Sequence, residues 1–280
     1  MNSPIVFPDA DSMGLALARE IVTGIEEAHT AGRRYLLGCP GGRSPRTTYA
    51  ALARLVAERR MDLSHLVIVM MDDYVALDGD SYRRVNPDLH CSVEGFALRE
   101  IVGPLDQAAP LGSGIAPEHL WMPDPSDPAS YDARLSDAGG VDLFILASGD
   151  SDGHVAFNPP GSARDSRTRI VELADSTRRD NLGTFPEFDS LDAVPRYGIS
   201  VGVGTIVEVS RRAVLVAPGP SKVDAVQRIA DAAGYDPQWP ATLLVCCRDH
   251  SLYADSLSAP SNRRDHVPDG APTGRNEVHS

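Results

Sequence analysis

The chain has no run of about 18 apolar residues; its apolar stretches, such as VDLFILAS, have the length of strands, so no membrane-spanning helix is expected. Its first residues, MNSPIVFPDADS, have neither the basic start nor the apolar stretch of a secretory signal, and the expected location is cytoplasmic. Cysteine is scarce: Cys39, Cys91, Cys246 and Cys247 show no CxxC spacing, which argues against a disulfide framework or a structural zinc site. Cys39, beside a glycine-rich loop, reads as a small core residue. Basic residues are the minority, 26 against 39 acidic, for a net charge of −13 and a pI near 5.0. That field opposes non-specific binding to nucleic acid or to an anionic membrane. An anionic ligand would need local compensation from a few cationic side chains and helix N-termini.

What is present suits a globular protein: 280 residues, 42% hydrophobic, with 24 Gly and 22 Pro, enough for one large or two small domains. Residues 12–31 read as an amphipathic helix opened by Ser12, and RRYLLG as a short strand leading into CPGGRSP. Ser44 as cap and Pro45 at the first helical position then start a helix through about Glu58. Further strands are expected at LVIVMMDDY (66–74), VDLFILAS (141–148), RYGISVGV (196–203), RRAVLVA (211–217) and ATLLVCC. Most are continuously apolar, as strands covered by helices on both faces are. The fold class is therefore α/β, a doubly wound, mostly parallel and Rossmann-like sheet with helices on both faces. A single domain over residues 1–257 is expected, with the polar, Pro/Gly-rich stretch 258–280 as a disordered tail.

In such folds ligands sit beyond the C-terminal ends of the strands. The segments there are GCPGGRSP, MMDDY, SGDSDGH, VGVGT and PGPSK, all expected on one edge of one sheet. Gly41, Gly42, Arg43 and Ser44 form a loop before a helix, where backbone N–H groups can approach a phosphate. In PGPSKVDAV, Ser221 and Asp224 have capping-box spacing, and a cation at the helix start, Lys222, favours anion binding there. Asp72 and Asp73 end a buried strand, a setting that raises a carboxyl pKa and suits a general base, though one of them capping the next turn fits the pattern equally. Asp152 precedes His154 by two residues and can orient it for proton exchange.

Taken together, LGCPGGRSPRTTYAAL, MMDDYVAL, SDGHVAFNPP, SRTRI, SVGVGTI and PGPSKVDAVQ resemble the glucosamine-6-phosphate deaminase/isomerase family, within the superfamily that also holds 6-phosphogluconolactonases. The resemblance runs from about residue 5 to 256, and MDDYVAL with Ser81-Tyr82, and SVGVGTI, resemble the deaminase branch more than the lactonase branch. It implies an aldose–ketose isomerase acting on an amino-sugar phosphate such as glucosamine 6-phosphate, with or without deamination. Gly41, Gly42, Arg43, Ser44, Gly204, Thr205 and Lys222 would bind the substrate and its phosphate. Asp72 would carry the C2 proton towards C1, and His154, oriented by Asp152, would open the sugar ring. No metal or organic cofactor is implied, and a homo-oligomer is compatible with the family.

Several positions depart from the family pattern. Pro159 stands where an acidic residue completes a trio with the Asp and His, and Gly183 stands near the place of a phosphate-gripping Arg, for which Arg43, Arg178 or Arg179 could substitute. SGDS replaces a glycine-rich loop and adds Asp150 beside the sugar site. Ser162 and Arg169 match an effector site of some bacterial deaminases, but Val171 replaces a basic residue, and allostery is not expected. The alternatives are hydrolysis of 6-phosphogluconolactone, a sugar-phosphate sensor, and a homologue that binds without turnover. About ten residues before the first helix and no basic stretch leave a DNA-binding regulator poorly supported.

Overall fold

The computed structural model describes residues 3–259; the expected tail lies almost wholly outside the described residues. In chain order the strands are β1 (Ile5–Phe7), β2 (Tyr35–Cys39), β3 (Leu66–Met70), β4 (Asp72–Asp78), β5 (Ser81–Arg84) and β6 (Leu120–Trp121). They continue with β7 (Leu143–Leu146), β8 (Arg169–Glu172), β9 (Tyr197–Ser200), β10 (Ala213–Ala217) and β11 (His250–Asp255). The helices are α1 (Ala10–Thr30), α2 (Arg46–Arg59), α3 (Val93–Phe96), α4 (Gly103–Ala108), α5 (Pro128–Asp137), α6 (Asp175–Thr184), α7 (Val203–Val209) and α8 (Val223–Asp231). A π-helical turn joins α3 to α4.

Seven strands form a parallel sheet in the order β1-β11-β10-β7-β2-β3-β6, the doubly wound α/β arrangement that the alternation predicts. The central strands YLLGC, LVIVM, LFIL and AVLVA are buried along their whole length. One apolar layer packs on each face. In one of them α1 contributes Met13, Leu17, Ala18, Ile21, Val22 and Ile25, an apolar stripe at helical spacing.

The structure differs from the sequence reading in five places. Asp9, not Ser12, caps α1, its carboxylate accepting the Ser12 N–H at 2.7 Å. α2 starts one residue later than expected, with Pro45 as cap and no side-chain bond from Ser44. α8 likewise has Lys222 at its cap position and no Ser221 cap bond. ATLLVCC is not a strand but the greater part of a 3₁₀ helix, Pro240–Cys246, an ambiguity inherent in short apolar runs. The fifth difference matters most for the site. LVIVMMDDY is two strands in two sheets: the chain leaves the parallel sheet after Met70 and re-enters extended structure at Asp72. There β4 joins a four-stranded antiparallel sheet in the order β5-β4-β9-β8. RYGISVGV belongs to this second sheet as well, so the strand-end motifs come from two sheets and not from one edge.

The crossover is firmly held. The Tyr131 hydroxyl donates to the Met70 carbonyl at 2.7 Å and lies 3.0 Å from that of Trp121, while Val201 N–H donates to the Met71 carbonyl at 2.8 Å. A third apolar cluster, including Tyr74, Phe157, Val171 and Leu173, fills the space beneath the small sheet.

Candidate active site

A cavity of about 420 Å³ opens at the carboxyl edge of the parallel sheet, where the small sheet meets it. Its wall contains Gly41, Gly42, Arg43 and Ser44 from the β2–α2 loop, Asp72 at the start of β4, His154 from the loop after β7, and Lys222 before α8. Gly42 has φ of +88°, a conformation open to glycine at little cost, which turns the loop so that α2 begins at the cavity. The PGPSK loop is tied back by Gly219 N–H, which donates to the Asp255 carboxylate at 3.0 Å. The starts of α2 and α8 and two cationic side chains, Arg43 and Lys222, therefore border the cavity.

The wall also carries the carboxylates of Asp72, Asp150 and Asp180. Asp72 and Asp73 point to opposite sides of their strand, as adjacent strand residues must. Asp73 is fully buried and accepts backbone N–H groups of Tyr74, Val93 and Glu94 at 2.8, 2.9 and 3.2 Å, so it organises the start of α3. Burial raises its carboxyl to about 6, with those three donors and Arg84 opposing the rise. Asp72 faces the cavity, is 6% exposed, and is pushed up to about 8 by burial and by the neighbouring Asp73 charge. A carboxyl so placed holds its proton in the empty cavity near neutral pH and gives it up near the range where proton transfer is efficient.

The Asp152 carboxylate sits 2.7 Å from His154 Nδ1 through Oδ1, which also accepts the His154 backbone N–H at 3.1 Å. Its Oδ2 accepts the hydroxyls of Ser176 at 2.6 Å and Thr177 at 2.9 Å. Burial alone would raise this carboxyl, but the bonds from His154 and Ser176 outweigh it and hold Asp152 well below the usual carboxylate range. With the proton assigned to Nδ1, Nε2 is left as the nitrogen that exchanges protons. Gly149 is needed here for close approach, because a Cβ at that position would lie 2.2 Å from His154 Nδ1.

Two of the expected binding residues are not brought to this cavity. The Thr205 hydroxyl donates to Asp132 at 2.9 Å, and Gly204 packs its backbone against Asp165, lining a separate cavity. Both follow β9, whose place in the small sheet carries α7 away from the site. Of the candidate substitutes for the phosphate-gripping Arg, two do not reach it either. Arg178 is buried on Asp175 and the carbonyls of Leu191 and Val194, and Arg179 is exposed beside Asp175; only Arg43 is in the wall. Pro159 turns away, its carbonyl accepting from Ser162. The Cys39 thiol is buried and raised to about 12, as suits a core residue.

Among the wall residues that escaped the sequence reading are Tyr74, Asn181 and Asp180, the latter two on α6. Asp150, noted in the sequence as an added charge, forms an ion pair with Lys222, which also donates to the Ser148 carbonyl.

A sequence profile described as glucosamine-6-phosphate isomerases/6-phosphogluconolactonase matches residues 8–253. The chain belongs to this family. A glucosamine-6-phosphate deaminase of Mycolicibacterium smegmatis is 35% identical over 240 residues, covering 86% of this chain and 85% of the relative. One from Porphyromonas gingivalis is 31% identical over 255 residues, covering 91% of each. Among solved structures, a monomeric glucosamine-6-phosphate deaminase superposes with a TM-score of 0.77 at 24% identity, covering 92% of this chain and 98% of the other. A 6-phosphogluconolactonase from Leishmania guyanensis gives 0.67 at 15% identity, covering 94% and 99%. At these identities the structural likenesses speak for the family fold, and the sequence relatives speak for its deaminase branch. Among the described residues no helix is long and apolar enough to cross a membrane.

Proposed function

We propose that the chain is an aldose–ketose isomerase and deaminase of an amino-sugar phosphate, with glucosamine 6-phosphate as the leading substrate. The observation that carries this reading is the joint opening of Asp72, His154 and Lys222 on one cavity whose wall carries both cationic groups and carboxylates. A zwitterionic sugar, with phosphate at C6 and an ammonium at C2, complements that polarity better than a neutral sugar or a lactone does.

The phosphate is held by the Gly42–Ser44 backbone, Arg43 and Lys222. His154 Nε2 accepts the proton of the anomeric hydroxyl and returns one to the ring oxygen as the C1–O5 bond breaks, leaving an open-chain aldehyde. Asp152 stabilises the imidazolium between the two transfers. The C2 proton is now acidic because its electrons can pass to the C1 carbonyl. Asp72, once ionised, removes that proton and, after partial exchange with solvent, delivers it to C1: a C2–H bond breaks and a C1–H bond forms, while the aldehyde oxygen gains a proton to become a hydroxyl and the C2 amine gives up its own as the C2=N bond of the ketimine forms. Water adds at C2 and ammonia leaves, giving the ketose phosphate. The ammonium charge of an arriving substrate favours ionisation of Asp72, so the ligand itself helps to arm the base.

Incubation with glucosamine 6-phosphate in deuterated water tests the reading. Ammonia release with deuterium at C1 of the ketose is the expected result. No exchange and no ammonia, together with rapid hydrolysis of 6-phosphogluconolactone, would reject it.

A further inference from the structure

The Asp152 carboxylate has its acceptor sites filled: Oδ1 by the backbone N–H and ring of His154, Oδ2 by the hydroxyls of Ser176 and Thr177. A second carboxylate stands close by. Asp180, on α6, lines the cavity, and one of its oxygens lies within 4.8 Å both of an Asp152 oxygen and of a ring nitrogen of His154. It is oriented by Ser151, whose hydroxyl donates to Asp180 Oδ2 at 2.9 Å and whose backbone N–H points to the same oxygen at 3.4 Å. Two carboxylates at this separation repel each other, and a cationic group seated beside them relieves that repulsion. Asp72 lines the same cavity and adds negative charge once ionised, whereas the charge of Asp150 is paired with Lys222.

The three residues also have the composition of a metal site. Asp152 suits one poorly, because binding an ion through it would break hydrogen bonds that fill both of its oxygens. An ammonium group asks less: one acceptor, on the carboxylate that faces the cavity. Resting on the reaction proposed above, the geometry points to a role for Asp180 as the residue that selects an amino sugar over its hydroxyl counterpart, by accepting a charge-assisted hydrogen bond from the protonated C2 amine. If His154 acts at C1 and the ring oxygen, the C2 substituent is carried on the adjacent carbon. Asp180 stands beside that imidazole.

Equilibrium binding tests this in the Asp72→Asn background, where turnover does not interfere. Affinities for glucosamine 6-phosphate and glucose 6-phosphate are measured with and without Asp180→Asn, below the pH at which the sugar amine loses its proton. The added substitution is expected to weaken the amino sugar by about ten- to a hundredfold while changing the hydroxyl sugar by less than about twofold. Asp180→Glu should recover part of the preference. Equal weakening of both sugars, or an unchanged ratio, overturns the assignment, since a purely structural role moves both alike. Micromolar zinc binding that disappears with Asp180→Asn would give the cluster to a metal and overturn it too. Failure of the reaction itself is read separately, from wild-type protein that neither exchanges deuterium nor releases ammonia.

Discussion

Replacing Asp72 by Asn should cripple the enzyme and stabilise the fold, and the second effect can be worked out with its pH dependence. Burial and the adjacent Asp73 raise the Asp72 carboxyl from 3.8 to about 8. In the native state it therefore keeps its proton between those values, whereas the unfolded chain has released it. Over that window the folded state binds one more proton than the unfolded state, so this group's contribution to stability falls as pH rises, by about 1.4 kcal/mol per unit. Above about 8 both states are ionised and the cost is constant. Asparagine removes the linkage, and Asp73 remains in both proteins. The advantage of Asp72→Asn over wild type should widen steadily from pH 5 to pH 8 and then level off, reaching a few kcal/mol, or roughly 5–10 °C in Tm for a domain of this size. Urea unfolding at pH 5, 6, 7, 8 and 9 measures it, with kcat expected to drop by about 10²- to 10⁴-fold in parallel. Stability curves that run parallel across this range would refute the claim that Asp72 is held protonated by its surroundings.

Other consequences are equally open to measurement. Because Asp72 must be ionised to act, kcat/KM of wild type should rise with pH up to about 8 and flatten beyond, after the titration of the substrate's own amine is subtracted; a profile flat from pH 6 to 9 would deny it the role of base. Asp150 competes with a bound anion for Lys222, so Asp150→Asn should tighten inorganic phosphate by about tenfold, the worth of one unit charge a few ångströms away in a partly screened site; unchanged or weaker binding by calorimetry would show that the pair does not compete with phosphate. In Gly149→Ala the new methyl group meets the His154–Asp152 pair, and kcat should fall by about ten- to a hundredfold with KM for the sugar phosphate nearly unchanged, whereas full activity would show that the imidazole has room to move.

Much of this architecture can be read from periodicity. Continuous apolar runs announce central parallel strands, and the glycine, aspartate and histidine motifs follow three of them at the sheet's carboxyl edge. The small antiparallel sheet is illegible for a physical reason: LVIVMMDDY is apolar through both strands, and nothing in it marks the change of partner at Met71. ATLLVCC has the apolar content of a strand but is helical, with Ala241, Leu243, Leu244 and Cys247 buried in the core and Val245 and Cys246 half-buried. Asp72, His154 and Lys222 carry recognisable motifs. Asp180 lies in the polar stretch DSTRRDNLGT, where one acidic residue looks like any other until α6 is placed against the His154 loop. Gly204 and Thr205 show the reverse error, a motif in the right place along the chain whose strand belongs to the other sheet.

Lys222 is the only lysine among 280 residues, every other basic side chain apart from histidine being arginine, and its side chain is just 9% accessible. Amine-directed chemistry, which decorates most proteins indiscriminately, is confined here to the amino terminus and one position in the cavity wall. Acylation or reductive methylation thus becomes an occupancy gauge, its rate at that single nitrogen reporting whether the chamber is filled.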